Sequence, residues 1–165
     1  MFTHVFGFFK SAKKKYRYLR LDITASQSGT EHAVGELKIF EGATDHPTSA
    51  MTSNTAPSPL VASAKSEDGT RQAYQAFDDD IGTDKHWGSA PEAQSWVQIN
   101  LGAGNGIAPT SYKITAGNSA KEQHAPKDWS LKGSNTGSFS GEEDTLHTKT
   151  GEATWAADQE RTYTI

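Results

Sequence analysis

The most chemically pointed stretch of the chain is Asp78-Asp79-Asp80-Ile81-Gly82-Thr83-Asp84. Carboxylates and a hydroxyl packed into a short glycine-containing loop are hard oxygen ligands, and Ca²⁺ takes six to eight such oxygens in irregular geometry. A solvated acidic loop is the plainer alternative. A second polar run, Gly117-Asn118-Ser119-Ala120-Lys121-Glu122-Gln123-His124-Ala125-Pro126, is long and amphiphilic enough to meet a sugar. It too could be an ordinary solvated loop. Among the 20 acidic residues no spacing singles out a glycosidase-type pair. His4, His32, His46, His86, His124 and His147 show no close zinc spacing. Neither a G-x-S-x-G elbow nor a phosphate-binding loop occurs. With no Cys there is no disulfide, thiolate metal site or cysteine nucleophile. The expectation is a protein that is not an enzyme.

Charge narrows the partners. Sixteen basic and 20 acidic residues leave a net charge of −4 and a pI near 5.8, which speaks against nucleic-acid binding. Lys10, Lys13, Lys14, Lys15, Arg17 and Arg20 form a basic cluster that could attract sulfated glycans, phosphates or lipid head groups. Its alternative is a solvated turn before a strand. No run of 18 apolar residues occurs, so nothing is expected to span a membrane. The opening MFTHVFGFFKSAKKK places apolar residues before charge, the reverse of a secretory signal.

The elements that hold these loops must be built from few apolar residues. Leu, Ile, Val and Phe number 25, against 34 Ser and Thr. So lean a composition signals disorder only with high net charge. Here the charge is small and 16 aromatics are kept, which fits a loop-rich all-β domain. Period-two alternation recurs: Leu19, Leu21 and Ile23; Leu37 and Ile39; Val97, Ile99 and Leu101; Tyr112, Ile114 and Ala116; Trp129 and Leu131; Tyr163 and Ile165. Glycine-rich turns lie between, at 102–106 and 133–137. Short strands and turns in this order predict a sandwich or barrel. Only Thr70 to Phe77 predicts a turn or two of helix. Residues 43–59, with three Pro and few large apolar side chains, predict an extended linker between 1–42 and 60–165. The smaller piece has two good strands and needs the larger one to fold.

Residues 57–165 resemble the start and middle of a discoidin-type domain, the galactose-binding-like jelly roll of coagulation-factor type C domains and many carbohydrate-binding modules. The resemblance lies in Ala76-Phe77-Asp78-Asp79-Asp80, Thr83 and Trp87-Gly88-Ser89, followed by Trp96-Val97-Gln98-Ile99-Asn100-Leu101-Gly102, Tyr112-Lys113-Ile114 and Pro126-Lys127-Asp128-Trp129-Ser130-Leu131-Lys132-Gly133-Ser134. Tyr16 to Thr24 and Val34 to Phe40 resemble the last two strands of the same domain, yet come first here. The implied fold is an all-β jelly-roll β-sandwich with a circularly permuted strand order, spanning 1–165 as one domain. Exchange of strands with a second copy, or origin in tandem repeats, is the competing account. Phe6-Gly7-Phe8-Phe9 feeds it, since that segment stands before Tyr16 much as Thr162 to Ile165 would in the usual order.

The resemblance also implies a site. In the carbohydrate-binding relatives the acidic loop holds a structural calcium. Carried over, its ligands are the Gln75 carbonyl, the Asp78 carboxylate, the Asp80 carbonyl, Thr83, and the last-strand Glu36. Asp79 stands where the family usually has Gly, which leaves the loop's conformation open. The 117–126 connection often reaches the family's ligand, so Asn118, Lys121 and His124 are candidates, with His32, Glu92 and His86 on the same rim. His86 has an alternative as a packed histidine. Trp87, Trp96 and Trp129 match core or near-core positions, and Trp155 is expected to pack as well. The implied function is non-catalytic recognition of an extracellular, cell-surface or virion glycan, on modules of the kind carried by adhesins, extracellular enzymes or viral tails. The alternative is an assembly module that binds no sugar.

Overall fold

The computed structural model describes residues 13–165 and is nearly all β. Its strands are β1 (Tyr18–Ser26), β2 (Ala33–Val34), β3 (Glu36–Glu41), β4 (Thr44–His46), β5 (Val61–Ala64), β6 (Trp87–Gly88), β7 (Ser95–Asn100), β8 (Ser111–Thr115), β9 (Pro126–Ser134), β10 (Asp144–Lys149) and β11 (Glu160–Thr164). One antiparallel sheet runs β10-β9-β1-β7-β5 and another β11-β8-β3-β4; β2 and β6 make a short separate pair.

The alternation read from the sequence decides which faces meet. Leu19, Leu21, Ile23, Val97, Ile99, Trp129 and Leu131 turn inward from the first sheet, and Leu37, Ile39, Tyr112 and Ile114 from the second; all are buried in one cluster. A two-sheet sandwich is the result. A hydrogen bond crosses it, from Trp129 Nε1 to the Tyr112 hydroxyl at 2.7 Å, and His147 Nδ1 meets the same hydroxyl at 2.7 Å. Trp155 is buried as expected, donating from Nε1 to the Pro126 carbonyl.

The N-terminal piece supplies interior strands to both sheets. β1 pairs with β7 on one side and β9 on the other, while β3 lies between β8 and β4. The segment Phe6-Gly7-Phe8-Phe9 lies outside the described residues, as does Lys10. The remaining basic cluster is mostly engaged: Lys14 with Asp144, Lys15 with Glu41 at 3.5 Å, and Arg17 Nε with Asn100 at 2.8 Å.

Three expectations need correction. The 43–59 stretch is not a free linker. It forms β4, buries Met51 and bonds to the body, Met51 N–H donating to the Phe77 carbonyl at 2.9 Å and Ala62 N–H to the Asn54 carbonyl at 2.9 Å. One well-placed apolar side chain and its backbone donors hold what composition alone predicts as loose. The Thr70–Phe77 helix contracts to a single 3₁₀ turn, Ala73–Ala76, with Ala73, Ala76 and Phe77 inward. Trp96, expected in or near the core, is half-buried on the outward face, because Val97 and Ile99 take the inward positions of β7.

Candidate functional site

Glu36 opens β3 and is almost wholly buried, opposite Thr115 of β8. It can stand there because Gly35 lies tight against the neighbouring chain: a Cβ on Gly35 would come 2.7 Å from the Ala116 carbonyl oxygen. The carboxylate faces the residues that follow the 3₁₀ turn, and Asp78 N–H donates to Glu36 Oε1 at 3.0 Å. Burial, reinforced by the Asp78 carboxylate beside it, pushes the Glu36 pKa up to about 8. Asp78 is raised too, chiefly by burial. The structure thus brings together two of the five expected calcium ligands, one from each side of the 43–59 stretch.

The loop beyond is wound by its own carboxylates. Asp78 Oδ1 accepts from Asp80 N–H at 3.1 Å and Asp80 Oδ1 from Gly82 N–H at 2.9 Å. Asp79 adopts φ of 57°, the left-handed region natural to glycine, and its carboxylate pairs with Lys38 at 2.5 Å. Asp tolerates that conformation better than most residues. Gln75 is buried, while Asp80 and Thr83 are exposed. Among the described residues no three His, Asp or Glu side chains group as a metal site. The two carboxylates are hard oxygen donors of the kind Ca²⁺ takes, two of the six to eight that such a shell needs.

A narrow cleft opens at the other end of this loop. Glu31, His32, Arg71, His86, Lys121 and His124 line it. β6 brings up His86, and Gly88 lets Arg71 lie across it, its Cδ 3.0 Å from where a Cβ would stand. The interior offers about 10 Å³, room for a water or one hydroxyl group.

His86 is completely buried, and neither ring nitrogen has a protein partner. Burial, with Arg71 and Lys121 nearby, lowers its pKa to about 4, so it is neutral at pH 7 and offers one donor and one acceptor. His32, also fully buried and lowered by burial, places Nε2 3.1 Å from the Glu92 carbonyl. A carbonyl only accepts, so Nε2 carries the proton and the unpartnered Nδ1 is an acceptor. His124 is oriented by Ser28 Oγ at 2.7 Å and Glu31 at 3.3 Å, and Lys121 stands 3.8 Å from Glu31.

Four of the six expected ligand residues therefore share one cleft. The other two support it. Glu92 is occupied by Ser66 at 2.5 Å and Lys65 at 2.9 Å, and serves the cleft through its carbonyl. Asn118 clamps the acidic loop, donating to the Ile81 carbonyl at 2.9 Å and accepting from Asp84 N–H at 3.3 Å. Nothing in the local pattern of Arg71 distinguishes it from surface charge, and Glu31 belongs to the Ser26–His32 turn expected on this rim. Comparison of the chain with protein-family models, curated proteins and solved structures returns no match to any of them. The discoidin resemblance rests on its motifs.

Proposed function

We propose that the protein is a non-catalytic carbohydrate-binding module that takes one hydroxyl of a sugar into the His32–His86–His124–Lys121 cleft, with a calcium ion at Glu36 and Asp78. The observation that carries this reading is His86, buried at the cleft with both ring nitrogens lacking protein partners. Each sugar hydroxyl both donates and accepts, and a neutral imidazole matches that pattern. Arg71 and Lys121 are balanced by Asp68 and Glu31, which favours a neutral hydroxyl-rich ligand at this cleft.

Two further points favour binding over the other classes. Glu36 and Asp78 stand within hydrogen-bonding reach of each other, closer than the roughly 5 Å or more that flanks a glycosidic bond in a hydrolase. An assembly surface calls for a broad exposed apolar patch. Among the described residues the exposed large hydrophobics are Val61, Ile81 and Ile165, one each on β5, the acidic loop and the chain end.

The test is a glycan array probed with calcium-loaded protein and its Lys121→Ala and His124→Ala variants. Selective binding to one sugar class, weakened in both variants, supports the reading. Binding that both retain moves the site elsewhere, and a blank array from folded protein turns the assignment toward assembly.

A further inference from the structure

The outward face of the first sheet carries a second, larger depression. β1, β7 and β9 lie side by side there, with Asp22 opposite Trp96 and Ser130, and Arg20 opposite Gln98 and Lys132. Strand alternation turns these side chains away from the core. Arg20, Asp22, Trp96, Ser130, Lys132 and Lys65 line a groove of about 370 Å³. The loop after β9 folds over the neighbouring part of the face. Gly137 lies so close to the Tyr18 ring that a Cβ would come within 2.7 Å, and Phe139 covers Arg20.

Arg20 is the best-held cation in the groove. Its guanidinium carbon lies 4.0 Å from the Phe139 ring centroid and 5.3 Å from that of Trp96. Asp22 grips one edge, with Oδ1 2.6 Å from Nε and Oδ2 accepting from Nη2 at 3.0 Å. Asp22 also pairs with Lys132 at 2.9 Å, and Glu143 pairs with Lys132 at 3.4 Å. A guanidinium carries five donors in a planar fork. Asp22 takes one hydrogen bond on the Nε–Nη2 side, from Nη2, while Nε stands close to Oδ1 without a hydrogen bond, and among the described residues no side chain or carbonyl accepts from Nη1. The Nη1–Nη2 end is thus a second fork, fixed in plane by two rings and a carboxylate, and a planar carboxylate fits it bidentately. Fixing the plane beforehand reduces the ordering cost of binding. The lining holds three cations, Arg20, Lys65 and Lys132, and one acid, Asp22; Glu92 and Glu143, which pair with the lysines, stand outside it.

We propose that this groove is a second saccharide site, separate from the His86 cleft, that takes a carboxylate-bearing sugar such as a uronate unit of an acidic polysaccharide on the free fork of Arg20.

Calorimetric titration of the full chain tests this with three probes of one length: a galacturonate oligosaccharide, its methyl ester, and a sulfated oligosaccharide. Arg20→Lys keeps the charge and removes the fork. The expected result is uronate binding by wild type and by His86→Gln with equal affinity, at least about tenfold weaker for the methyl ester and about tenfold weaker in Arg20→Lys, the scale of one lost charge-assisted bond. If Arg20→Lys fails to fold, Lys132→Gln, whose side chain is more exposed, should weaken uronate binding in the same sense. The proposal is overturned by folded wild type that ignores uronate, by affinity unchanged in both variants, or by affinity lost in His86→Gln. Equal binding of the sulfated probe, insensitive to Arg20→Lys, would reduce the groove to a general anion patch and overturn the carboxylate assignment.

Discussion

The Glu36–Asp78 junction and the His86 cleft sit at the two ends of one loop, residues 78 to 86, and lack opposite things. At the junction two carboxylates are pressed together with more negative charge than burial tolerates, so a proton or a cation must neutralise it. At the cleft, burial and neighbouring cations keep the imidazoles uncharged, and what is lacking is hydrogen-bond partners. On the proposed function an ion would meet the first deficit and sugar hydroxyls the second. Burial of similar depth thus yields two chemistries, decided by the sign of the neighbouring charge.

The strongest way to break this contrast is to remove the ion. Calcium at about a hundred times its dissociation constant should stabilise the folded chain by about 2.7 kcal/mol, or roughly 5–10 °C in Tm for a domain of this size. A thermal melt with and without chelator measures it, and Glu36→Gln should abolish the response while His86→Gln leaves it intact. An equal Tm in chelator and calcium would remove the ion from the junction.

Next in size is the cleft itself. His86→Gln should weaken the array-identified sugar about tenfold, the scale of one or two hydrogen bonds, with little change in the melt. Unaltered affinity would return His86 to the role of a packed histidine.

The pH dependence sharpens the contrast further. Metal-free protein holds a proton on Glu36 up to about pH 8, whereas the unfolded chain releases it near 4.5. Across that window the folded state binds more protons, so stability is full below about pH 4.5 and falls as pH rises toward 8. Calcium should therefore raise the Tm more at pH 8 than at pH 5, and Glu36→Gln should flatten the metal-free slope. A slope of the opposite sign would mean that Glu36 is ionised and paired.

The smallest effect should come from Asn118→Ala, which cuts the clamp between the two loops. It should reduce sugar affinity a few-fold and make that affinity less responsive to calcium. Affinity that tracks calcium as closely as in wild type would show that the sites communicate by another route.

How much of this was readable beforehand follows from what each residue depends on. The inward stripes of β1, β3, β7, β8 and β9 were readable because alternation against a core is a local pattern. β10 is not legible locally because Asp144-Thr145-Leu146-His147-Thr148-Lys149 offers one apolar residue in six, and edge pairing with β9 makes it a strand. The junction was half readable: Asp78 announces itself in an acidic run, whereas Glu36 becomes special only through a partner 42 positions away. Thr83 matched by motif, yet its exposure shows that spacing carries no information about burial. Arg71 gains its place in the cleft from tertiary folding alone.

The place of β1 between β7 and β9 also has a consequence in time. β1 is made early, but its second partner begins 100 residues after it ends, at Pro126. At about 5–20 residues per second of synthesis, roughly 5–20 s pass before a partner exists for each of its edges. Long-range closure of this kind is intrinsically slow. On the ribosome, Leu19, Leu21 and Ile23 are therefore the residues most in need of a chaperone, although in the finished protein they are among the best sheltered.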